Sequence, residues 1–300
     1  MNDLVEHRER SDRFQLLNGE WKFQYYNSIY DVTESFYEKG YDVSRFDQVT
    51  VPGVWQMDGY DTHQYTNIRY PFPFDPPYVP QDIPCGAYVH TFDYAKDAAA
   101  PKAYLNFEGV DSCFYVWLNG TYVGYSQVSH MTSEFDVTDV LREGENRISV
   151  LVMKWCDGSY LEDQDFWRFT GIAREVYLYA RPQAHIADLF ITPDLVNNYQ
   201  DGTLEVKLNA VGAKGETVMF SLKDKEGKEV AAQTAKVGGN GEVKVNFDIK
   251  NPLKWTAETP NLYTLYTTLM DGKQVAEVVP QRVGFRKVEI KNAQVLVNGQ

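Results

Sequence analysis

The sequence predicts an all-β protein built as two sandwiches in tandem, a jelly roll followed by an immunoglobulin-like fold. Short apolar runs recur with turn residues every 8–12 positions or so, which is how antiparallel sandwiches read in sequence. Helical periodicity is thin. The length of 300 residues corresponds to about two domains, since single domains cluster near 100–200 residues.

In chain order, residues 33–39 suggest one short helix capped by Thr33. A long segment from Gly59 to Gly86 follows, with prolines at Pro71, Pro73, Pro76, Pro77, Pro80 and Pro84. Loops beyond about 12–15 residues are usually functional or disordered. Interleaved Tyr60, Tyr65, Tyr70, Phe72, Phe74 and Tyr78 argue for order, because disordered segments are poor in aromatics. An ordered loop covering another surface is expected. Residues 113–118 and 121–125 flank Asn119-Gly120, a hairpin signal because both turn positions need positive φ. Residues 137–141 suggest a single turn, residues 146–155 are apolar enough for a central strand, and residues 174–181 alternate cleanly. The aromatic richness and long loops of this part point to the jelly roll.

The texture changes after Arg181-Pro182. Leu204, Val206 and Leu208 alternate with Glu205, Lys207 and Asn209, the pattern of a half-buried strand. Residues 217–223 repeat it, and Lys225-Glu226-Gly227-Lys228 turns the chain. Val243, Val245, Phe247 and Ile249 share one face, and residues 262–269 form a further strand. No Cys…Trp…Cys spacing is present, so the sandwich architecture alone is inferred. The expected domains are residues 1–182, residues 183–290 and a terminal stretch 291–300.

A formal charge of −13 argues against nucleic acid or an anionic membrane as partner, because phosphate binding needs clustered Lys and Arg. No run approaches the roughly 18 apolar residues of a membrane span. The polar first ten residues lack the apolar stretch of a signal peptide. Cys85, Cys113 and Cys156 are odd in number and far apart. They fit a reduced, cytoplasmic chain better than a disulfide framework or a zinc site.

The densest candidate for chemistry is the stretch 157–168, with Asp157, Glu162, Asp163 and Asp165 ahead of Trp167. Carboxylates accept hydrogen bonds from sugar hydroxyls, and an indole covers a sugar's apolar face. Hard cations also favour such oxygen clusters, although the spacing is not that of an EF-hand. A solvated acidic turn, with Trp167 in the core and Arg168 paired locally, accounts for the same residues equally well. Nucleophile-elbow, zincin, P-loop and dinucleotide motifs are all missing. The histidines His7, His63, His90, His130 and His185 are scattered. No glycosidase acid and nucleophile can be chosen by spacing from 42 acidic residues. The residues by themselves reach two β-sandwiches with a possible carbohydrate contact.

Several stretches resemble family 2 glycoside hydrolases of the large bacterial β-galactosidase type. They are Leu17-Asn18-Gly19-Glu20-Trp21-Lys22-Phe23, the run from Val51-Pro52-Gly53 to Asp61, Tyr65-Thr66-Asn67-Ile68-Arg69-Tyr70-Pro71, and Ser133-Glu134-Phe135-Asp136. Residues 157–168 with Thr170-Gly171-Ile172, residues 251–263, and Val283-Gly284-Phe285-Arg286 complete the set in order. The resemblance implies a sugar-binding-like jelly roll, an immunoglobulin-like domain and then a (β/α)8 barrel. It also implies a retaining mechanism run by two glutamates on that barrel. Residues 283–300 resemble the lead into the first barrel strand. A barrel needs about 200–250 further residues, so the catalytic barrel is expected to be missing, and no catalytic residue is expected here.

Two family residues carry over as substrate-binding. Asn67 and Asp165 match positions whose side chains reach the barrel's mouth to hold galactose hydroxyls. Asp165 also matches a sodium ligand whose companions lie on the barrel, and the magnesium site of such enzymes lies wholly there. Sodium and magnesium are therefore implied for the parent, with no cofactor in this fragment. The family usually carries a longer segment before Leu17, so Met1 is expected to be an internal start. The expected function is that of a non-catalytic front portion of a β-galactosidase, whose partners are the missing barrel and, in the parent, a galactoside. Alternatives are a free-standing carbohydrate-binding module, or the front of a β-glucuronidase or β-mannosidase. The aromatic loop from Tyr60 to Tyr78, if uncovered, predicts weak self-association into a homo-oligomer.

Overall fold

The structure, a computed structural model, describes residues 5–162 and 164–300. Met1, with its expected role as an internal start, lies outside the described residues, and so does Asp163. Two compact units divide the chain: Phe14–Ala180 forms one, and Arg181–Gln300 with the residues up to Arg13 forms the other. Among the described residues no helix is long and apolar enough to cross a membrane.

The first unit stacks a six-stranded sheet on a four-stranded one. The larger sheet runs Asp47–Val51, Gly19–Tyr26, Cys85–Tyr94, Gly144–Met153, Cys113–Leu118 and Thr121–Gln127 in spatial order. The smaller runs Phe14–Leu16, Val176–Arg181, Lys102–Phe107 and Ser133–Asp136. Trp21, Phe23, Leu105, Phe107, Phe114 and Val150 form the core of this sandwich. Gly144–Met153 is central, paired with Cys85–Tyr94 on one side and Cys113–Leu118 on the other. Its Ile148, Val150 and Val152 belong to the main core, whereas Leu151 joins a second cluster with Cys85, Ala87, Val89, Phe36 and Phe46. Burial of alternate residues in two separate clusters explains why this strand reads as a continuous apolar run rather than an alternating one.

The expected helix over residues 33–39 is absent. A single 3-10 turn, Ile29–Asp31, is capped by the Ser28 hydroxyl and leads into irregular chain. Neighbours Phe36 and Tyr37 both pack on Trp117, edge-on at 6.0 Å and stacked at 4.7 Å. A helix would instead bring residues three or four apart onto one surface. Arg147 donates to the carbonyls of Tyr41 at 2.8 Å and Phe36 at 3.2 Å, so a side chain satisfies acceptors that a helix would satisfy internally.

The Asn119-Gly120 hairpin forms as expected, with φ of 55° and 82°. The Asn119 side chain is 7% exposed. Its amide donates to the Val140 carbonyl at 2.9 Å and to Asn146 Oδ1 at 2.8 Å, and its oxygen accepts from the Arg147 amide at 3.1 Å. The expected turn over residues 137–141 is closed by a bond from the Leu141 amide to the Val137 carbonyl at 2.9 Å.

The second unit has a three-stranded sheet, His185–Val196, Asp201–Val211 and Glu242–Ile249. Its four-stranded sheet runs Glu229–Lys236, Thr217–Lys223, Tyr263–Asp271 and Gln274–Val283. Leu204, Val206 and Leu208 lie opposite Phe247, Val245 and Val243, and this face packs with Phe220, Leu265 and Phe285. Gly227 turns the chain at φ 82°. The strands His185–Val196 and Gln274–Val283 have no clear signal in the sequence. Each contains a proline, Pro193 or Pro280, and each lies at the edge of its sheet, where a missing amide breaks no ladder. Val288–Lys291 and Gln294–Val297 pair as a separate hairpin.

Candidate functional site

Two short strands assemble the site within the first unit. Tyr65–Thr66 pairs antiparallel with Phe166–Trp167, Thr66 opposite Phe166 and Tyr65 opposite Trp167. One position beyond this ladder stand Asn67 on one strand and Asp165 on the other, both exposed. The fold thus brings together the two residues that the sequence singles out. The Tyr65 hydroxyl donates to Asp165 Oδ1, and that bond pushes the phenol above its ordinary pKa.

The proline-rich segment that carries Asn67 is held by Tyr160. The Tyr160 hydroxyl donates to the Tyr78 carbonyl at 2.6 Å and accepts from the Asp75 amide at 3.1 Å. Phe72 and Phe74 meet its ring edge-on at 5.3 and 5.6 Å, and Tyr70 donates to its carbonyl at 3.2 Å. Proline-stiffened chain loses little entropy when fixed in this way. The aromatics therefore order the loop, as expected, by covering the 3-10 turn Asp157–Tyr160.

The acidic stretch divides by role. Glu162 accepts from the Ser129 amide at 2.8 Å and hydroxyl at 2.7 Å, and Asp157 accepts from the Gly158 amide at 2.9 Å. These two close local structure, while Asp165 points its carboxylate at Tyr65. Arg168 is buried and paired locally. Trp167, by contrast, is 51% exposed, so the core position entertained for it is not what forms. Its ring lies parallel to Phe169 at 6.0 Å, with Tyr65 at 5.4 Å, and His63 meets Phe169 edge-on at 5.4 Å. An aromatic shelf beside a carboxylate and a carboxamide suits a polyhydroxylated ligand: apolar ring faces for its carbon side, hydrogen-bonding groups for its hydroxyls.

Two buried ionic features of the same unit are not visible in sequence spacing. Lys154, 4% exposed, donates to Asp61 Oδ2 at 2.5 Å. Burial pushes the Asp61 carboxyl up, but Lys154, the Thr62 amide and Gln56 outweigh it and hold the group below its ordinary value. Behind the acidic stretch, burial raises Asp111 to about 6, with Glu162 adding to the shift while Ser112, His130 and Arg168 oppose it. Ser112 donates to Asp111 at 2.7 Å.

Among the described residues no three His, Cys, Asp or Glu converge as a metal group.

The family profile described as "Glycosyl hydrolases family 2, sugar binding domain" matches residues 14–182, and "Glycosyl hydrolases family 2" matches residues 184–286. A β-galactosidase of Actinobacillus pleuropneumoniae is 44% identical over 294 residues, covering 98% of this chain and 27% of the relative. One from Clostridium acetobutylicum is 42% identical over 285 residues, covering 93% and 32%. The chain thus spans about a third or less of the length of these curated relatives. Among solved structures, a Bifidobacterium dentium β-glucuronidase complexed with coumarin-3-O-glucuronide superposes with TM-score 0.78 at 21% identity, covering 96% of this chain and 51% of that one. A β-glycosidase from Bacteroides vulgatus gives 0.74 at 23% identity, covering 96% and 36%. These two likenesses bear on the fold.

Proposed function

This chain belongs to glycosyl hydrolases family 2, and on that premise we propose that it is the substrate-holding front part of a longer β-galactosidase. In this reading the reacting glutamates lie on a barrel beyond these residues, and Asn67 and Asp165 reach into that site to hold hydroxyls of the galactosyl group. The observation that carries the reading is the ladder that sets these two exposed side chains on adjoining strands beside an aromatic shelf. The sequence relatives favour a galactoside over the glucuronide of the structural neighbour, since their identity to this chain is about twice as high. Sodium belongs to the same proposal, with Asp165 supplying one oxygen and the remaining ligands lying elsewhere in the enzyme. Magnesium would be bound outside this chain altogether. A cytoplasmic location and a homo-oligomeric parent are part of the proposal too, the former supported by three buried free thiols.

The test is turnover of a chromogenic β-galactoside. The 300-residue chain should release no chromophore above buffer, because retaining hydrolysis needs two carboxyl groups about 5–5.5 Å apart. In the longer enzyme, Asn67→Ala and Asp165→Asn should each lower kcat/KM by about tenfold or more, the worth of a charge-assisted or well-placed hydrogen bond. Turnover by the chain alone would overturn the division of labour. Millimolar or tighter binding of free galactose by the chain would favour a free-standing carbohydrate-binding module instead.

A further inference from the structure

A ladder of two residues on each strand is too short to hold its own register, and register is weakly specified wherever a strand lacks a long patterned face. Yet the offset between Asn67 and Asp165 depends on it. One side chain spans both strands. Arg168 donates from Nε to Thr66 Oγ1 at 2.6 Å on the first strand and from Nη2 to the Gln164 carbonyl at 3.3 Å, just ahead of the second. Its guanidinium carbon sits 4.3 Å from the centre of the Phe166 ring. Its own amide donates to the Gln64 carbonyl at 2.8 Å, extending the pairing by one rung. The side chain is buried, 5% exposed, so it meets the strands from the inner side while Asn67 and Asp165 meet water.

We propose that Thr66 and Arg168 are positioning residues: their hydrogen bond is a latch that fixes the offset between Asn67 and Asp165. The proposal rests on the functional reading of those two residues, but the latch itself is a property of this chain. A one-residue slip would turn Thr66 to the opposite face and carry its hydroxyl away from the guanidinium. A lysine at 168 could not replace the latch, because a single ammonium lacks the planar fork that engages two acceptors and stacks on a ring at once. Neither latch residue needs to touch sugar. Both act through the pair they align.

The decisive variant is Thr66→Val, which keeps the shape and removes the acceptor. In the 300-residue chain, amide exchange at Arg168 should quicken by about tenfold through local opening, while the melting temperature falls by no more than about 2–4 °C, the shift that the same loss of native stability implies. Thr66→Ser should restore protection, and Arg168→Lys should reproduce the loss. In the longer enzyme the same Thr66→Val change should raise KM for a β-galactoside by about fivefold with kcat little altered, a loss of ground-state and transition-state binding alike. Unchanged exchange at Arg168 in Thr66→Val would overturn the latch. So would a fall in melting temperature several times larger than that shift, the sign of a general loss of packing. If Asn67→Ala and Asp165→Asn leave turnover intact, the functional reading fails, and the exchange data still decide the latch.

Discussion

The two sandwiches bury their apolar residues by different routes. In the second unit a strand can keep one wet face and one dry face, as along Glu242–Ile249, where exposed and buried residues alternate without a break. In the first unit the central strands are dry on both faces, because irregular chain carrying Phe36 and Phe46 lies over the outside of the larger sheet. The first unit also carries most of the buried polar side chains, Gln56, Asn119, Asn146, Lys154 and Arg168 among them. Loops that pack as a third layer bring their backbone polar groups inside, and those groups require partners. The comparison teaches that a site on irregular chain costs its domain an internal hydrogen-bond network, which a plain sandwich can omit.

The largest effect expected from this contrast is Phe36→Ala. If the covering loop is part of the core, the change should destabilise the first unit by about 3–5 kcal/mol, as for other buried aromatic truncations. Urea unfolding followed by tryptophan emission would report it, because Trp21, Trp55, Trp117, Trp155 and Trp167 lie in that unit and only Trp255 lies in the other. A loss below about 1 kcal/mol, the level of a surface substitution, would break the comparison by showing that the outer layer is an ornament on an ordinary sandwich.

Asp111 sharpens the contrast through pH. Its folded value of about 6 lies above the ordinary 3.8, so the folded state binds this proton more tightly than the unfolded one. The first unit should therefore lose stability from this group as pH rises through about 6, and regain it as pH falls towards 4. Asp111→Asn should stabilise the unit at pH 7 by about 1–2 kcal/mol, after allowance for the solvent that reaches the carboxyl, with no gain at pH 4. A gain independent of pH would mean that the carboxylate is not strained by its burial.

The smallest effect belongs to the plain sandwich. Asp201, on its surface, accepts from Lys250 at 2.8 Å, Asn197 at 2.8 Å and the Asn251 amide at 3.2 Å, which lower it to about 2. This contribution is present above the ordinary carboxylate value and is lost as pH falls through about 2. Lying at the surface, the group should matter little: Asp201→Asn should shift melting at pH 7 by about 1–2 °C, in the range of surface ion pairs. A much larger shift would show that the second unit, too, depends on polar fastening.

The same difference governs what could be read from the residues. Alternation locates Leu204, Val206 and Leu208 and their partners in the second unit, because one face is wet and the pattern survives. It misses His185–Val196 and Gln274–Val283, whose prolines are tolerated only because those strands lie at sheet edges. In the first unit Thr33 and the residues after it look helical, but tertiary packing of Phe36 and Tyr37 on Trp117 overrides that local preference. Asn67 and Asp165 were legible through the family's motifs, and the two-residue ladder that joins them has no periodic signal. The Lys154–Asp61 pair and the raised Asp111 were not legible at all, since burial creates both and no local spacing encodes it.

The turn at Asn119-Gly120 has a consequence for chemical ageing. An asparagine followed by glycine is prone to deamidate, because the next backbone nitrogen can attack the side-chain carbonyl carbon and close a five-membered imide with loss of ammonia. At Asn119 the carboxamide is buried and fastened at both ends, its nitrogen to Val140 and Asn146 and its oxygen to the Arg147 amide. Rotation into the attacking geometry would have to break those bonds and leave buried partners unpaired. In the second unit Asn240, exposed and followed by the buried Gly241, holds its carboxamide through Glu242, two residues away. Of these two turns, the one at Asn240 should therefore deamidate first, while the one at Asn119 stays locked for as long as the first unit stays folded.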